Sequence, residues 1–392
     1  METDMNITNP EELGFDAARL DRVWEAMASD IAANLYDGGT LVVGRGNGIA
    51  AARAVGFADR SANRELSLDD VFVTMSVGKQ FINVLILAAV EAGRLRLHAP
   101  IVEVLNEFEG TGKDHITLAQ LLSHTSGIAS QVPALEPADL GNIEKMTEFA
   151  ARAALESEPG KRVQYSILVA HSVLALMLVR TDPAGRGISQ ILQEDLYDRL
   201  GMKSTSLGGR ADLMERLCPV VSRYSERGIF SGEELEGMAL LLTLPGIELP
   251  GGGYLSTAHD LHAFATMLRR GGELGGERIL SPAMIDLATR NHTARRPNSL
   301  FDYTVATRGW RPWPAYIGLG FFLRGEAITP GPIGSLASPR SFCGWGAGST
   351  CFWVDPERDL SFTFLSTGLM EDSRHMERLS RLSDIVISAV VN

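Results

Sequence analysis

The sequence is poor in cysteine and lysine and lacks any long apolar run. Its 392 residues include three cysteines and five lysines. No window approaches the roughly 18 uninterrupted apolar residues that a membrane-spanning helix needs. The cysteines, Cys218, Cys343 and Cys351, form no CxxC pair and have no histidine at a zinc-binding spacing. We therefore expect free thiols, no bound metal, no cofactor and no membrane span.

The charge balance narrows the class of partner. The formal net charge is −12 at pH 7, and an acidic protein is poorly suited to bind nucleic acid or an anionic membrane surface. The N-terminal stretch METDMNITNPEELGFD has neither the basic nor the apolar region of a secretory signal. With the odd number of cysteines, this favours a cytoplasmic protein that acts on a small molecule, and a homo-oligomer is left open.

Sequence typical of strands lies near both ends of the chain. Residues 39–59, GTLVVGRGNGIAAARAVGFAD, predict a β-hairpin around GRGNG. A nucleotide-binding loop is disfavoured because Ile49 stands where GxGxxG needs its third glycine. Residues 349–366, STCFWVDPERDLSFTFLS, contain two apolar runs around the turn DPERD. A C-terminal helix is predicted from about residue 372.

The sequence between these ends is mostly helical in pattern, with short Gly and Pro breaks. The simplest fold is of the α/β class, α+β type, in which both ends of the chain form a mainly antiparallel sheet flanked by helices. We predict a discontinuous α/β domain of residues 1–93 and 250–392, and a mostly helical domain of residues 94–249. Residues 297–341 predict a long functional loop. Its aromatic residues either line an apolar pocket or pack ordinarily: Trp310, Trp313, Tyr316 and Phe321.

The stretch MSVGKQF places Ser76 three residues before Lys79, at the start of the apolar segment FINVLILAAV. Residues i and i+3 share one face of a helix, so the amine can activate the hydroxyl. Packing in an apolar segment lowers the pKa of a lysine, which makes it a base. A helix start also supplies free N–H groups where an oxyanion would form. Alone, the pair also fits a helix-capping serine beside a lysine with a buried stem.

Four further segments accompany this pair: LLSHTSGI from residue 121, VQYSILVAHSVLALML from 163, PGGGYLSTAHDL from 250 and GWGAGSTCFWVDP from 344. In this order and spacing, the chain resembles the serine β-lactamase-like superfamily of penicillin-binding proteins, class C β-lactamases and family VIII carboxylesterases. The resemblance runs from ELGFDAARL to about Ser366. It implies the β-lactamase/transpeptidase-like fold.

The resemblance implies a role for each catalytic residue. Ser76 would be the acylated nucleophile and Lys79 its partner. Tyr165 matches the tyrosine of the Y-x-N motif, which takes and returns the proton in the family, and a phenol beside a lysine ammonium can have a lowered pKa. Without this context, Tyr165 reads as a tyrosine at a helix start with a satisfied hydroxyl. His124, in SHTSG, would belong to a structural turn.

The third motif of the family matches WGA at residues 345–347. In the family, the residue after this triplet supplies the second oxyanion N–H, beside that of Ser76. Position by position this residue is Gly348, and a shift of one residue makes it Ala347.

Two departures from the family pattern bear on the substrate. Ile167 replaces the asparagine of Y-x-N and cannot hydrogen-bond an amide. Trp345 stands where most lactamases place a cation. With Gly346, these residues would line a pocket for a neutral, fairly hydrophobic substrate.

We therefore predict a serine hydrolase, a carboxylesterase or lactone hydrolase, that works through an acyl-enzyme. An acyltransferase using the same site, or a β-lactamase or D-Ala peptidase, are the alternatives. A binding protein without catalytic activity is least favoured, because the serine, lysine and tyrosine are all present.

Overall fold

The computed structural model describes residues 7–131, 133, 135–136, 139–225 and 228–391. The first six residues and residue 392 lie outside the described residues. The outer limits predicted for the α/β domain, at residues 1 and 392, therefore lie outside them as well.

Strands from the two ends of the chain meet in one sheet. The strands are β1 (Gly38–Arg45), β2 (Gly48–Asp59), β3 (Arg64–Glu65), β4 (Phe72–Val73), β5 (Ser206–Leu207), β6 (Tyr254–Ser256), β7 (Glu273–Leu274), β8 (Glu277–Arg278), β9 (Phe322–Leu323), β10 (Phe342–Gly346), β11 (Thr350–Asp355) and β12 (Leu360–Thr367). Seven of them form a sheet in the order β3-β2-β1-β12-β11-β10-β9, with antiparallel pairing throughout. The central pair, β1 with β12, joins the N-terminal and C-terminal parts, which confirms the predicted fold class.

Helices surround this sheet and fill the middle of the chain. The α-helices are α1 (Ala17–Ala32), α2 (Lys79–Glu91), α3 (Leu118–Leu122), α4 (Ile143–Arg152), α5 (Val169–Arg180), α6 (Ile188–Leu192), α7 (Asp198–Leu200), α8 (Gly232–Leu242), α9 (Ala258–Arg269), α10 (Pro282–Ala288), α11 (Asp302–Arg308) and α12 (Asp372–Ser388). Among the described residues, no helix combines the length and the apolar character that crossing a membrane requires.

The sheet separates two apolar cores, because successive side chains of a strand point to opposite faces. In β1, Leu41 and Val43 join the core beneath α1 and α12, whereas Val42 joins the core beneath α2 and α9. In β11, Trp353 lies in the first core and Phe352 in the second. Both faces are therefore covered by helices, as the apolar runs of these strands predict.

The region from 94 to 249 is mostly helical, but it also contributes β5, which pairs with β6 next to β4. The α2 helix packs against α5 of this region, and buried residues of both helices belong to one apolar core that the two parts share. The boundary between two domains at these residues stays a prediction. The small sheet matters for the site because β4 leads directly into Ser76.

Candidate active site

Ser76 lies on a tight turn between β4 and α2. Residues Met75–Gly78 form a 3₁₀ helix that continues into α2 at Lys79. Met75 has a φ of 50°, in the left-handed region where a long side chain is strained. The backbone before it is anchored by a 2.9 Å hydrogen bond from the Thr74 N–H to the Tyr254 carbonyl. Strain of this kind is typical of functional sites.

Lys79 is the direct partner of Ser76. Its Nζ lies 2.9 Å from the Ser76 Oγ and donates a further hydrogen bond to the Gly251 carbonyl. The lysine is only 1% exposed, and this burial lowers the pKa of its amine to about 7. The amine is therefore partly neutral at physiological pH, as a base for the serine hydroxyl must be.

Tyr165 completes the group, but its ionisation differs from the sequence prediction. Its hydroxyl is hydrogen-bonded with Ser76, and its ring centroid lies 5.3 Å from the Lys79 Nζ. Burial raises the pKa of the Tyr165 phenol well above its usual value, although the bond with Ser76 opposes this. The pKa is raised rather than lowered, because burial outweighs the hydrogen bond with Ser76. Lys79, rather than Tyr165, is the group whose pKa approaches neutrality.

His124 packs against the back of Tyr165. Their ring centroids are 4.4 Å apart, and the His124 Nδ1 accepts a 3.3 Å hydrogen bond from the Ser166 N–H. Burial, with a smaller contribution from Lys79, lowers the pKa of the His124 imidazole to about 3. A neutral ring with this contact supports Tyr165 from behind, which agrees with the structural role implied for SHTSG.

The β10–β11 hairpin brings backbone to the nucleophile. A Cβ built on Gly346 would lie 2.6 Å from the Thr74 carbonyl oxygen and 3.0 Å from the Ser76 nitrogen, so only glycine fits there. The next residue, Ala347, borders the cavity that contains Ser76. Gly348 instead lies buried in the hairpin turn, where its Cβ would come within 2.7 Å of the Val73 carbonyl oxygen.

Trp345 reaches the same cavity from the other face of the sheet. Gly344 and Gly346 face α2, where a Cβ would meet Gln80 and Ser76 respectively. Trp345, between them, packs with the opposite core and stacks near His375, with ring centroids 6.3 Å apart. Its indole also borders the cavity that contains Ser76.

The cavity above Ser76 has a volume of about 480 Å³, within the range of small-molecule sites. The predicted residues Ser76, Tyr165, Ile167, Trp345 and Gly346 all border it. Its other walls come from several loops and from α11, β9 and the start of α12: Ser130, Gln131, Glu156, Gln164, Ile229, Phe230, Ser299, Leu300, Asp302, Tyr303, Phe322, Ala347 and Asp372.

The largest apolar residues of these walls were missed from the sequence. Phe230, Tyr303 and Phe322 come from separate segments, and their spacing carries no periodic pattern. The predicted loop at 297–341 does supply two of them. The aromatic residues singled out there lie elsewhere: Phe321 is in the core and Trp313 lines a different cavity.

The three cysteines are buried free thiols. Within the described part of the chain, no group of three His, Cys, Asp or Glu side chains converges as a metal site would require.

Comparison with known proteins identifies the family of the chain. The model of the family described as Beta-lactamase matches residues 26–384. Esterase EstB of Burkholderia gladioli is 29% identical over 204 residues, which cover 48% of this chain and 50% of the esterase.

Two solved structures share the fold. A penicillin-binding protein homologue from Caulobacter crescentus has a TM-score of 0.77 at 22% identity and covers 98% of this chain and 100% of its own. A family VIII carboxylesterase has a TM-score of 0.75 at 21% identity, over 95% and 98% of the two chains. The chain thus belongs to the beta-lactamase family of serine hydrolases, and the resemblance drawn from its motifs is confirmed.

Proposed function

We propose that the protein hydrolyses a neutral, fairly hydrophobic carboxylic ester through an acyl-enzyme on Ser76. The observation that carries this proposal is the buried Lys79 amine, 2.9 Å from the Ser76 hydroxyl, beside a largely apolar cavity. A nucleophile and a base of suitable pKa within hydrogen-bond reach are what acyl transfer requires.

In the acylation step, the neutral Lys79 amine accepts the proton of Ser76 as its oxygen bonds to the ester carbonyl carbon. The backbone N–H groups of Ser76 and Ala347 hold the oxyanion that forms. We prefer Ala347 to Gly348 for this role because it borders the cavity one residue after Gly346. When the tetrahedral intermediate collapses, the bond between the acyl carbon and the alkoxy oxygen breaks, and the alkoxide leaves.

Tyr165 gives its proton to the leaving alkoxide and regains one from the Lys79 ammonium. A neutral phenol, with its raised pKa, holds the proton that this step needs. In deacylation, water adds to the acyl carbon while the same groups take its proton and return one to the Ser76 oxygen. The products are a carboxylic acid and an alcohol.

The charges of the cavity favour a neutral substrate. Among the described residues that border it, the ionisable carboxyl groups are Glu156, Asp302 and Asp372, and no arginine or lysine is present. Carboxylates in the wall repel an anionic substrate. Ile167 also offers no polar group to an amide side chain. An ester is thus favoured over an anionic β-lactam, and a lactone, as a cyclic ester, falls within the same chemistry.

The test is turnover of a short aryl ester by the wild-type protein, Ser76→Ala and Ser130→Ala. Ser130 borders the same cavity, where its hydroxyl bonds to Glu156, and it serves as the matched control. We expect Ser76→Ala to lose activity and the fluorophosphonate adduct that intact mass detects, while Ser130→Ala keeps both. Full turnover by Ser76→Ala would show that the assignment is wrong.

A further inference from the structure

A second, narrow cavity adjoins the one that contains Ser76. It measures about 40 Å³ and is lined by Trp313, Tyr316, Cys343 and other residues. Phe322 and Trp345 line both cavities. Their rings meet edge to face, with centroids 6.1 Å apart and an interplanar angle of 79°. These two side chains therefore form the partition between the cavities.

One residue that lines the narrow cavity has a hydrogen-bond donor without an acceptor. Trp313 is 6% exposed, and its indole Nε1–H has no hydrogen-bond partner among the described residues. Its ring is held by stacking on Phe301, with centroids 4.6 Å apart. Because a buried donor without an acceptor is costly, such a group is commonly satisfied by water or by a ligand.

The far end of the narrow cavity leads toward the surface. Thr329, Pro330, Gly331 and Ser335 line it and also line an open groove of about 710 Å³ beside α12. The three spaces thus follow one another from Ser76 to the outside of the molecule. The narrow cavity, at about 40 Å³, has room for the end of an extended chain rather than for a second bulky group.

We propose that the narrow cavity is a subsite for the distal part of a long acyl chain, and that an oxygen acceptor on this chain bonds to the Trp313 N–H. This inference rests on the proposed function. The acyl side is favoured because the alcohol must leave before water attacks, whereas the acyl group stays attached to Ser76. The Phe322–Trp345 pair is the constriction that the chain passes.

The main experiment compares aryl esters with a constant alcohol and acyl chains from acetate to laurate, each long chain with and without a keto oxygen near its distal end. We expect Trp345→Ala to raise kcat/KM for the long chains by about tenfold relative to acetate. Removing the indole widens the constriction, and a change of even one methylene in the fit of an apolar pocket has effects of this size. Trp313→Phe keeps an aromatic ring and removes the N–H. It should lower kcat/KM roughly three- to tenfold for the keto chains alone.

Trp24→Phe is the matched control and should leave both preferences unchanged, because Trp24 lies in α1 and lines none of the three spaces. The subsite proposal is wrong if Trp345→Ala has the chain-length preference of the wild-type protein. It is also wrong if Trp313→Phe loses the same activity on keto chains and on plain chains.

A binding measurement separates this failure from failure of the proposed function. In Ser76→Ala, the quenching of tryptophan fluorescence by methyl acetate and by the methyl ester of the long keto chain reports binding without turnover. Tighter binding of the long ester, lost in the double variant with Trp313→Phe, supports the subsite even if the wild-type protein hydrolyses no ester. Equal binding of the two esters contradicts it.

Discussion

The Lys79 amine lies 2.9 Å from the Ser76 hydroxyl in a site where the lysine is 99% removed from solvent. Burial disfavours the charged form, and it lowers the pKa of this amine from 10.5 to about 7. The same burial that makes Lys79 a base also destabilises the folded protein wherever the amine is protonated. Activity and stability should therefore both depend on pH through this one residue.

The pH dependence of turnover follows from the proton that Lys79 must accept. Below about pH 7 the amine is protonated and cannot act as a base, so we expect kcat/KM for an aryl ester to rise with pH through a midpoint near 7. Lys79→Arg, which stays charged, should be inactive across the range. A flat profile between pH 5.5 and 8.5, measured with an ester whose spontaneous hydrolysis is subtracted, would exclude Lys79 as the base.

The effect of pH on stability should be opposite to that of a lysine in an ion pair, whose pKa is raised on folding. The unfolded lysine binds a proton up to about pH 10.5 and the folded one up to about pH 7, so stability rises with pH between these values. Lys79→Met removes the burial cost. It should increase the free energy of unfolding by up to about 5 kcal/mol at pH 6, with the difference shrinking toward pH 10.

Urea unfolding at pH 6 and pH 9.5 measures this difference. Lys203→Met, at an exposed lysine, is the control and should leave the pH dependence unchanged. If Lys79→Met and the wild-type protein respond to pH identically, the lysine is not buried in the way described.

Tyr165 should be required for turnover but should not set its pH midpoint. Burial keeps the pKa of its phenol above the usual value, so it is protonated throughout the working range and donates to the leaving group. We expect Tyr165→Phe to lower kcat roughly 100- to 10,000-fold, the usual contribution of a general acid. The residual activity, followed by stopped assays, should keep the midpoint near pH 7. A midpoint that moves would assign the titration to Tyr165.

Much of this site could be predicted from the sequence because its motifs are local. The three-residue spacing of Ser76 and Lys79 predicts that both lie on one turn. The two apolar runs around DPERD predict strands β11 and β12 of the sheet that supports them. The ionisation of Tyr165 could not be predicted, because it depends on burial behind His124, 41 positions earlier in the chain. The spacing of the motif identifies the tyrosine, but it does not give the burial that sets the pKa of its phenol.

The register of the β10 hairpin is a similar case. The letters GWGAG allow two alignments that differ by one residue, and a shift of one residue moves every side chain to the other face of a strand. Our proposal of Ala347 rests on the close approach of Gly346 to Ser76, where an added Cβ would lie 3.0 Å from the nitrogen, and approaches of this kind depend on the tertiary fold. The aromatic walls from Phe230 and Tyr303 are also tertiary features without a sequence pattern.

Ile167 should influence the choice between ester and amide-bearing substrates. It borders the cavity two residues after Tyr165, and Ile167→Asn places an amide there that can bond to the side chain of a β-lactam. We expect the ratio of kcat/KM for a chromogenic cephalosporin to that for an aryl ester to rise about tenfold. Ile167→Val, which keeps an apolar branched side chain, should leave the ratio within a factor of about three. An unchanged ratio in Ile167→Asn would show that this wall does not contact the substrate.

Gly78 should be essential to the turn that holds Ser76 and Lys79. A Cβ at Gly78 would collide with the ring of Tyr254. This ring cannot move aside, because it packs edge to face on Phe81 at 5.4 Å and its hydroxyl bonds to the Pro250 carbonyl at 3.1 Å. We expect Gly78→Ala to lower the free energy of unfolding by about 1–3 kcal/mol, the cost of overpacking, and to reduce ester turnover because the two catalytic residues shift.

The control for this change lies in α8. Gly237 is inside that helix, and a Cβ there meets open space, so Gly237→Ala should stabilise the protein by about 0.5–1 kcal/mol and leave turnover unchanged. Thermal unfolding and the aryl ester assay on both variants make the comparison. Because the two substitutions add the same methyl group, opposite signs must come from the ring of Tyr254 rather than from the alanine itself. Gly78→Ala with wild-type stability and turnover would mean that Tyr254 does not confine the turn.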